Sequence, residues 1–249
     1  MATVPLMFAQ EDVENGGKEE NTHNIQNDFA YNNNVQNADI NIRMAFLRKV
    51  YGLLSIQLLL TCAVAAVFMA VEPVKLFVQE NPWTLLSSFL LTFGILIALH
   101  FKRREHPLNL ILLAVFTLVQ AYTVGVVVST YDTALVLEAL AITLTVLIGL
   151  TAYTFQSKKD FSFLGFGLFA GLWILLLGGL MQIFFQSSTL ELVLSIGGAG
   201  LFCLFIVFDT HLVMRVLSPE EYILATINIY LDIINLFLHI LRILAAARQ

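Results

Sequence analysis

The sequence predicts an all-α polytopic membrane protein, a seven-transmembrane-helix bundle behind a disordered acidic N-terminal tail. Three observations carry that reading. Of 249 residues, 58% are apolar and only 12% charged, well above the roughly 45–50% apolar content of an average soluble domain. The apolar residues gather into runs of about twenty, the length needed to cross a hydrocarbon core. Charged residues fall mostly outside those runs, in the N-terminal stretch and in the short polar separators.

Residues 1–42 carry seven acids against the single Lys18, together with Asn-rich stretches such as Asn32, Asn33 and Asn34. Such a segment buries too little apolar area to offset its ordering entropy, so a disordered cytosolic tail is expected. It has no basic start leading into an apolar stretch with a small-residue cleavage site. The first apolar segment is therefore expected to direct insertion, and residues 43–249 to form the membrane domain.

Seven segments follow: 50–71, 83–101, 107–128, 134–155, 161–185, 190–214 and 222–244. All read as helices, because only helices or closed barrels satisfy the backbone in lipid, and these runs lack the strict alternation of a barrel strand. Orientation follows from Lys and Arg near the ends of the spans. Arg43, Arg48 and Lys49 precede the first segment, Lys102, Arg103 and Arg104 follow the second, Lys158 and Lys159 the fourth, and Arg215 the sixth. All fall on one side, which assigns the N-terminus to the cytosol, while the opposite loops hold only Lys75. The last segment is ambiguous. If it spans, Arg242 and Arg248 end on the other side; if it is re-entrant, Asp232 lies near its tip. Seven spans are expected, with re-entry as the alternative.

Gly167 and Gly171 form a GxxxG spacing, and Gly197, Gly198 and Gly200 line the sixth segment, as close helix contacts require. Cys62 and Cys203 lie in separate apolar runs and read as packing residues, suggesting neither a disulfide nor a zinc site. The net charge of −5 and its distribution give no reason to expect nucleic acid as a partner.

An ionisable residue inside a span persists only with a partner or a wet cavity. Four acids qualify: Glu138, Glu191, Asp209 and Asp232. Glu138 and Glu191 lie near the ends of their segments, where snorkelling or a helix dipole can account for them. For Glu191 a second reading is the collection of cations at a pore mouth. Asp209 and Asp232 are deeper. The turn between their segments contains Ser218, Pro219 and Glu221, a helix start with Ser218 as N-cap and a capping box. Each aspartate lies about ten residues from that turn, roughly 15 Å at 1.5 Å per residue, so the two carboxylates can meet near mid-membrane.

Two carboxylates in a low dielectric cannot both ionise cheaply, and such a pair shares a proton. The protonated pair is a hydrogen-bonded clasp. The ionised pair repels itself and attracts cations, and can offer calcium a transient site, although two carboxylates are too few for tight binding. The simpler alternative is that each aspartate only hydrogen-bonds a neighbour, with Thr210, Asn228, Tyr230 and Asn235 at hand. His100, His106, His211 and His239 lack a second ligand at i+3 or i+4, so no resident metal is expected. Nor is enzyme activity or an organic cofactor. The aspartate context is not that of an intramembrane aspartyl protease, and no serine–glycine motif, HExxH or phosphate loop occurs.

Phe208-Asp209-Thr210-His211, the turn Leu217 to Tyr222, and Tyr230-Leu231-Asp232-Ile233-Ile234-Asn235-Leu236-Phe237 resemble the signature of the transmembrane Bax-inhibitor-motif (lifeguard) family. The stretches Ile42 to Tyr51 and Gln156 to Phe161 are most similar to its Golgi anti-apoptotic branch. The resemblance, which covers about residues 42–242, implies a seven-helix fold, residence in Golgi and related intracellular membranes, including the endoplasmic reticulum, and suppression of apoptosis. It also implies a cation or calcium leak that lowers store calcium, with calcium as permeant ion. By motif position, Asp209 and Asp232 match the proton-sensitive latch of prokaryotic relatives, and Glu191 matches an acidic position tied to conduction. Those relatives place a basic residue in helix two against the latch, whereas residues 83–99 here contain none. A rival reading is a non-conducting adaptor acting through protein partners, such as calcium-release channels or other members of the family. Proton-coupled exchange is a third.

Overall fold

The computed structural model describes residues 40–81 and 83–248. The expected disordered tail lies outside these residues, except that Ile40, Asn41 and Ile42 already belong to the first helix. The helices are α1 (Ile40–Ala70), α2 (Glu72–Glu80), α3 (Trp83–Lys102), α4 (Leu108–Val128), α5 (Thr133–Gln156), α6 (Leu164–Phe185), α7 (Ser188–Arg215) and α8 (Tyr222–Ala247). Seven of them, all but α2, are long and apolar enough to cross a membrane.

Most boundaries fall within three residues of the sequence expectation, but α1 starts ten residues earlier. Its 31 residues make a rod of about 46 Å at 1.5 Å per residue, longer than a hydrocarbon core of about 30 Å. The excess carries Arg43, Arg48 and Lys49 at the end of the bundle shared with Arg103, Arg104 and Arg215, called here the basic end.

Helix α2 is an addition that the sequence reading left as a polar separator. Pro73 sits in its first turn, where a missing N–H costs nothing. Its Val78 is buried with Phe68 and Val126 in a small cluster at the far end of the bundle. Phe68 also packs edge-on to Tyr122, with centroids 5.4 Å apart, in space left by Gly125.

The central element is α8, whose neighbours are α1, α4, α5 and α7; α3 packs mainly on α4 and α6 mainly on α7. Tyr230, Leu236 and Leu241 of α8 are almost completely buried. Large apolar side chains such as Leu59, Phe101, Phe166 and Phe184 cover the outside of the bundle, as expected where lipid replaces water. The α6–α7 contact corrects the GxxxG reading. Gly171 makes room for Leu201 and Gly178 for Leu194, whereas Gly167 faces open space. The working pair is therefore spaced seven residues apart, two helical turns, and not four. Cys62 is also exposed and only Cys203 is partly packed, because Cys62 lies on the outward face of α1.

Polar side chains join the helices internally. Thr61 Oγ1 and Tyr230 Oη are 2.8 Å apart, linking α1 to α8. Gln57 Nε2 donates to Thr117 Oγ1 at 2.7 Å, linking α1 to α4. Thr123 Oγ1 donates to Ser88 Oγ at 3.1 Å, linking α4 to α3.

Candidate functional site

The site hangs from the turn between α7 and α8. Ser218 does cap it, accepting from the backbone N–H of Glu220 at 3.5 Å, but the first turn, Pro219–Glu221, is a 3-10 turn that leads into α8. The capping box does not form as expected. The Glu221 carboxylate lies 3.5 Å from Arg103 and 3.7 Å from Arg104, the loop cations between α3 and α4. Lys49 of α1 sits over the Tyr222 ring, 3.3 Å from its centroid, a cation–π contact. Asn109 Nδ2 donates to Tyr222 Oη at 3.0 Å. The turn is thus held by α1, by the α3–α4 loop and by the start of α4.

From this anchored turn the two helices run antiparallel and bring Asp209 and Asp232 side by side. Both aspartates are buried, 7% and 6% exposed, and their carboxyl groups lie within hydrogen-bonding reach of each other. Among the described residues no lysine, arginine or histidine makes a salt bridge to either. Asp232 Oδ2 has no hydrogen-bond partner at all.

Two of the neighbours that could serve as simple partners are engaged elsewhere. Tyr230 uses its hydroxyl on Thr61 and Asn235 donates its amide to the Leu231 carbonyl. Thr210 Oγ1 and Tyr51 Oη are near one another without hydrogen-bond geometry, and both are buried and unsatisfied. An unsatisfied buried polar atom costs about 1–3 kcal/mol, so packing alone does not account for the buried Asp232 carboxyl. The arrangement can exchange and share a proton, and once ionised it can receive a cation.

The other two acids lie elsewhere. Glu191 occupies the first turn of α7 at the far end and is exposed, about 27 Å along the helix from Asp209 at 1.5 Å per residue. Glu138, near the start of α5, pairs with Arg248 at the end of α8. Among the described residues no group of three or more His, Cys, Asp or Glu side chains could hold a metal ion.

Two residues near the site, His211 and Arg215, make contacts that the sequence reading did not assign to them. His211 is buried, and its Nε2 lies 3.0 Å from Asp160 Oδ1 of the α5–α6 loop. Arg215 Nη2 donates to the Ser157 carbonyl of the same loop at 3.1 Å. Phe161 adds an edge-on contact to His211, with centroids 5.7 Å apart. The loop is thereby strapped onto α7 within two residues of Asp209. Hydrogen bonds from Ser162, with a smaller contribution from the nearby His211, hold the exposed Asp160 carboxyl below its ordinary range. The only sequence signal was the i+4 spacing of His211 and Arg215.

A family model described as inhibitor of apoptosis-promoting Bax1 matches residues 43–249. The chain belongs to this family. Among its Bax-inhibitor relatives, the Golgi anti-apoptotic protein of vaccinia virus (strain Lister) is 51% identical over 225 residues, covering 90% of this chain and 95% of the viral protein. Protein lifeguard 4 of Mus musculus is 52% identical over 225 residues, covering 90% of this chain and 94% of its own. Bax inhibitor 1 of Schizosaccharomyces pombe is 42% identical over 205 residues, 82% of this chain and 77% of the yeast protein. The family match begins at Arg43, so the acidic tail lies outside it and the whole carboxylate site within it.

Proposed function

We propose that this protein is a cation leak of an intracellular membrane, permeable to calcium, in which Asp209 and Asp232 form a proton-sensitive gate and Glu191 gathers cations at the far mouth. The observation that carries the proposal is the placement of two carboxyl groups within hydrogen-bonding reach inside a bundle of membrane-spanning length, with no cation paired to them among the described residues. A structural ion pair would bring its own counter-charge. This pair has only a shared proton or a permeant ion to neutralise it.

With one proton shared, the carboxyls hold α7 against α8 and the path is closed. With both ionised, repulsion spreads the helices and the negative site admits a cation. The pair offers too few oxygens to retain calcium, and weak binding suits permeation. The name of the vaccinia relative supports placing this activity in the Golgi membrane, with the N-terminus cytosolic by the distribution of Lys and Arg. In this reading, lower store calcium is the means by which the protein restrains apoptosis.

The test is calcium flux in proteoliposomes of the purified chain as a function of pH. Flux is expected to rise as pH is raised. The neutral variants Asp209→Asn and Asp232→Asn should leave a low flux that no longer responds to pH. A wild type that is impermeable at every pH would favour the non-conducting adaptor. Calcium movement driven by an imposed pH gradient would indicate exchange.

A further inference from the structure

The α7–α8 interface does not end at the carboxylate pair. At 100° per residue, Glu191, Ser195, Gly198, Phe202 and Asp209 fall within an arc of about 60° on α7. On α8, Asp232, His239 and Arg242 fall within an arc of about 80°. Ser195, Gly198, Phe202 and Asp209 are buried on α7 and Asp232 on α8, while Glu191 and Arg242, toward the far end, are exposed.

Between the carboxyls and the far end lies an aromatic stack. Phe202 and His239 lie 5.6 Å apart between centroids at an interplanar angle of 25°. Each is seven residues beyond its aspartate, so they meet in the same antiparallel register, about 10 Å farther along the helices. The imidazole fills the space over Gly198, where any β-carbon would collide with the ring. His239 Nδ1 is buried and has no hydrogen-bond partner. A phenylalanine would pack there without that loss, so the histidine is costly as mere filling.

We propose that the His239 ring, stacked on Phe202 and seated against Gly198, is the constriction that separates the Asp209–Asp232 pair from the Glu191 mouth, and that it must swing aside for a cation to pass. The assignment rests on the cation-leak reading above. Gly198 serves it by leaving the ring a seat without forming a permanent wall. The blockage is steric and depends on the ring, not on its charge.

The experiment measures calcium flux through the purified full chain in liposomes, with Asp232→Asn as the control for the leak itself. His239→Ala is expected to raise the flux about tenfold at every pH, and His239→Phe, which restores a ring, to keep the wild-type rate. If the wild type conducts and His239→Ala conducts at the same rate, the constriction is elsewhere and the proposal fails while the leak stands. It also fails if His239→Phe conducts as freely as His239→Ala. If the wild type passes no calcium at any pH, the leak reading fails and takes the constriction with it. Should His239→Ala not be recovered as a monodisperse protein, Phe202→Leu removes the stacking face, keeps an apolar side chain and carries the same expectation.

Discussion

Arg248, one residue beyond the last helix, forms a salt bridge with Glu138 near the start of α5. Because α5 begins at the end of the bundle away from the basic cluster, this contact places the C-terminal end of α8 there too. A re-entrant segment would return Arg248 to the basic end, and an unbroken helix from Tyr222 to Ala247 has no tip at Asp232. The arginine that argued against a seventh span thus has its own counter-ion. Both partners are about half exposed, so the bridge contributes no more than about 1 kcal/mol and marks the topology without enforcing it.

The topology prediction is direct. A compartment reporter fused after Gln249 should read the side opposite to one fused at the N-terminus, and Glu138→Gln should not change that result. Two reporters on the same side would restore the hairpin.

Thr61 and Tyr230 form a buried hydroxyl pair between the first helix and the central one. Tyr230→Phe should lower stability by about 1 kcal/mol, the usual net value of one hydrogen bond. Thr61→Ala should cost about the same, and the double variant less than the two combined. Thermal unfolding in detergent measures all three, and strict additivity would mean that the hydroxyls do not interact.

Leucine substitutions test which glycines seat α6. Gly171→Leu and Gly178→Leu must displace Leu201 and Leu194 of α7 and should each cost about 1–3 kcal/mol, the range for overpacking. Gly167→Leu, with nothing near its β-position, should be close to neutral. The reverse order in a melting series would show that the α6–α7 contact is misassigned.

Asp160 gives a pH prediction with a definite sign. Its carboxyl is held below the ordinary range chiefly by Ser162. The stability it lends the 157–163 loop is therefore complete above that range and lost as pH falls through the lowered value. Amide-exchange protection of the loop, corrected for intrinsic rate, should be lower below about pH 4 than at pH 7. Asp160→Asn should show the unprotected pattern already at pH 7.

The seven spans, their ends apart from the early start of α1, and the common depth of Asp209 and Asp232 were legible in the linear chain. Span length follows from the thickness of the bilayer, and loop position from charge. Equal distance from a Ser-Pro turn is a matter of counting. The partners of Phe202, His211 and Arg248, the seating of α6 through Gly171 and Gly178, and the existence of α2 were decided only by tertiary packing. The physical reason is that a membrane helix is apolar toward lipid and toward its neighbours alike, so hydrophobic periodicity, which tells inside from outside in a soluble protein, does not say which face meets which helix. His239 illustrates the difference. In the chain it is one histidine in an apolar run; in the bundle it is a ring stacked on Phe202, over a glycine, seven residues from Asp232.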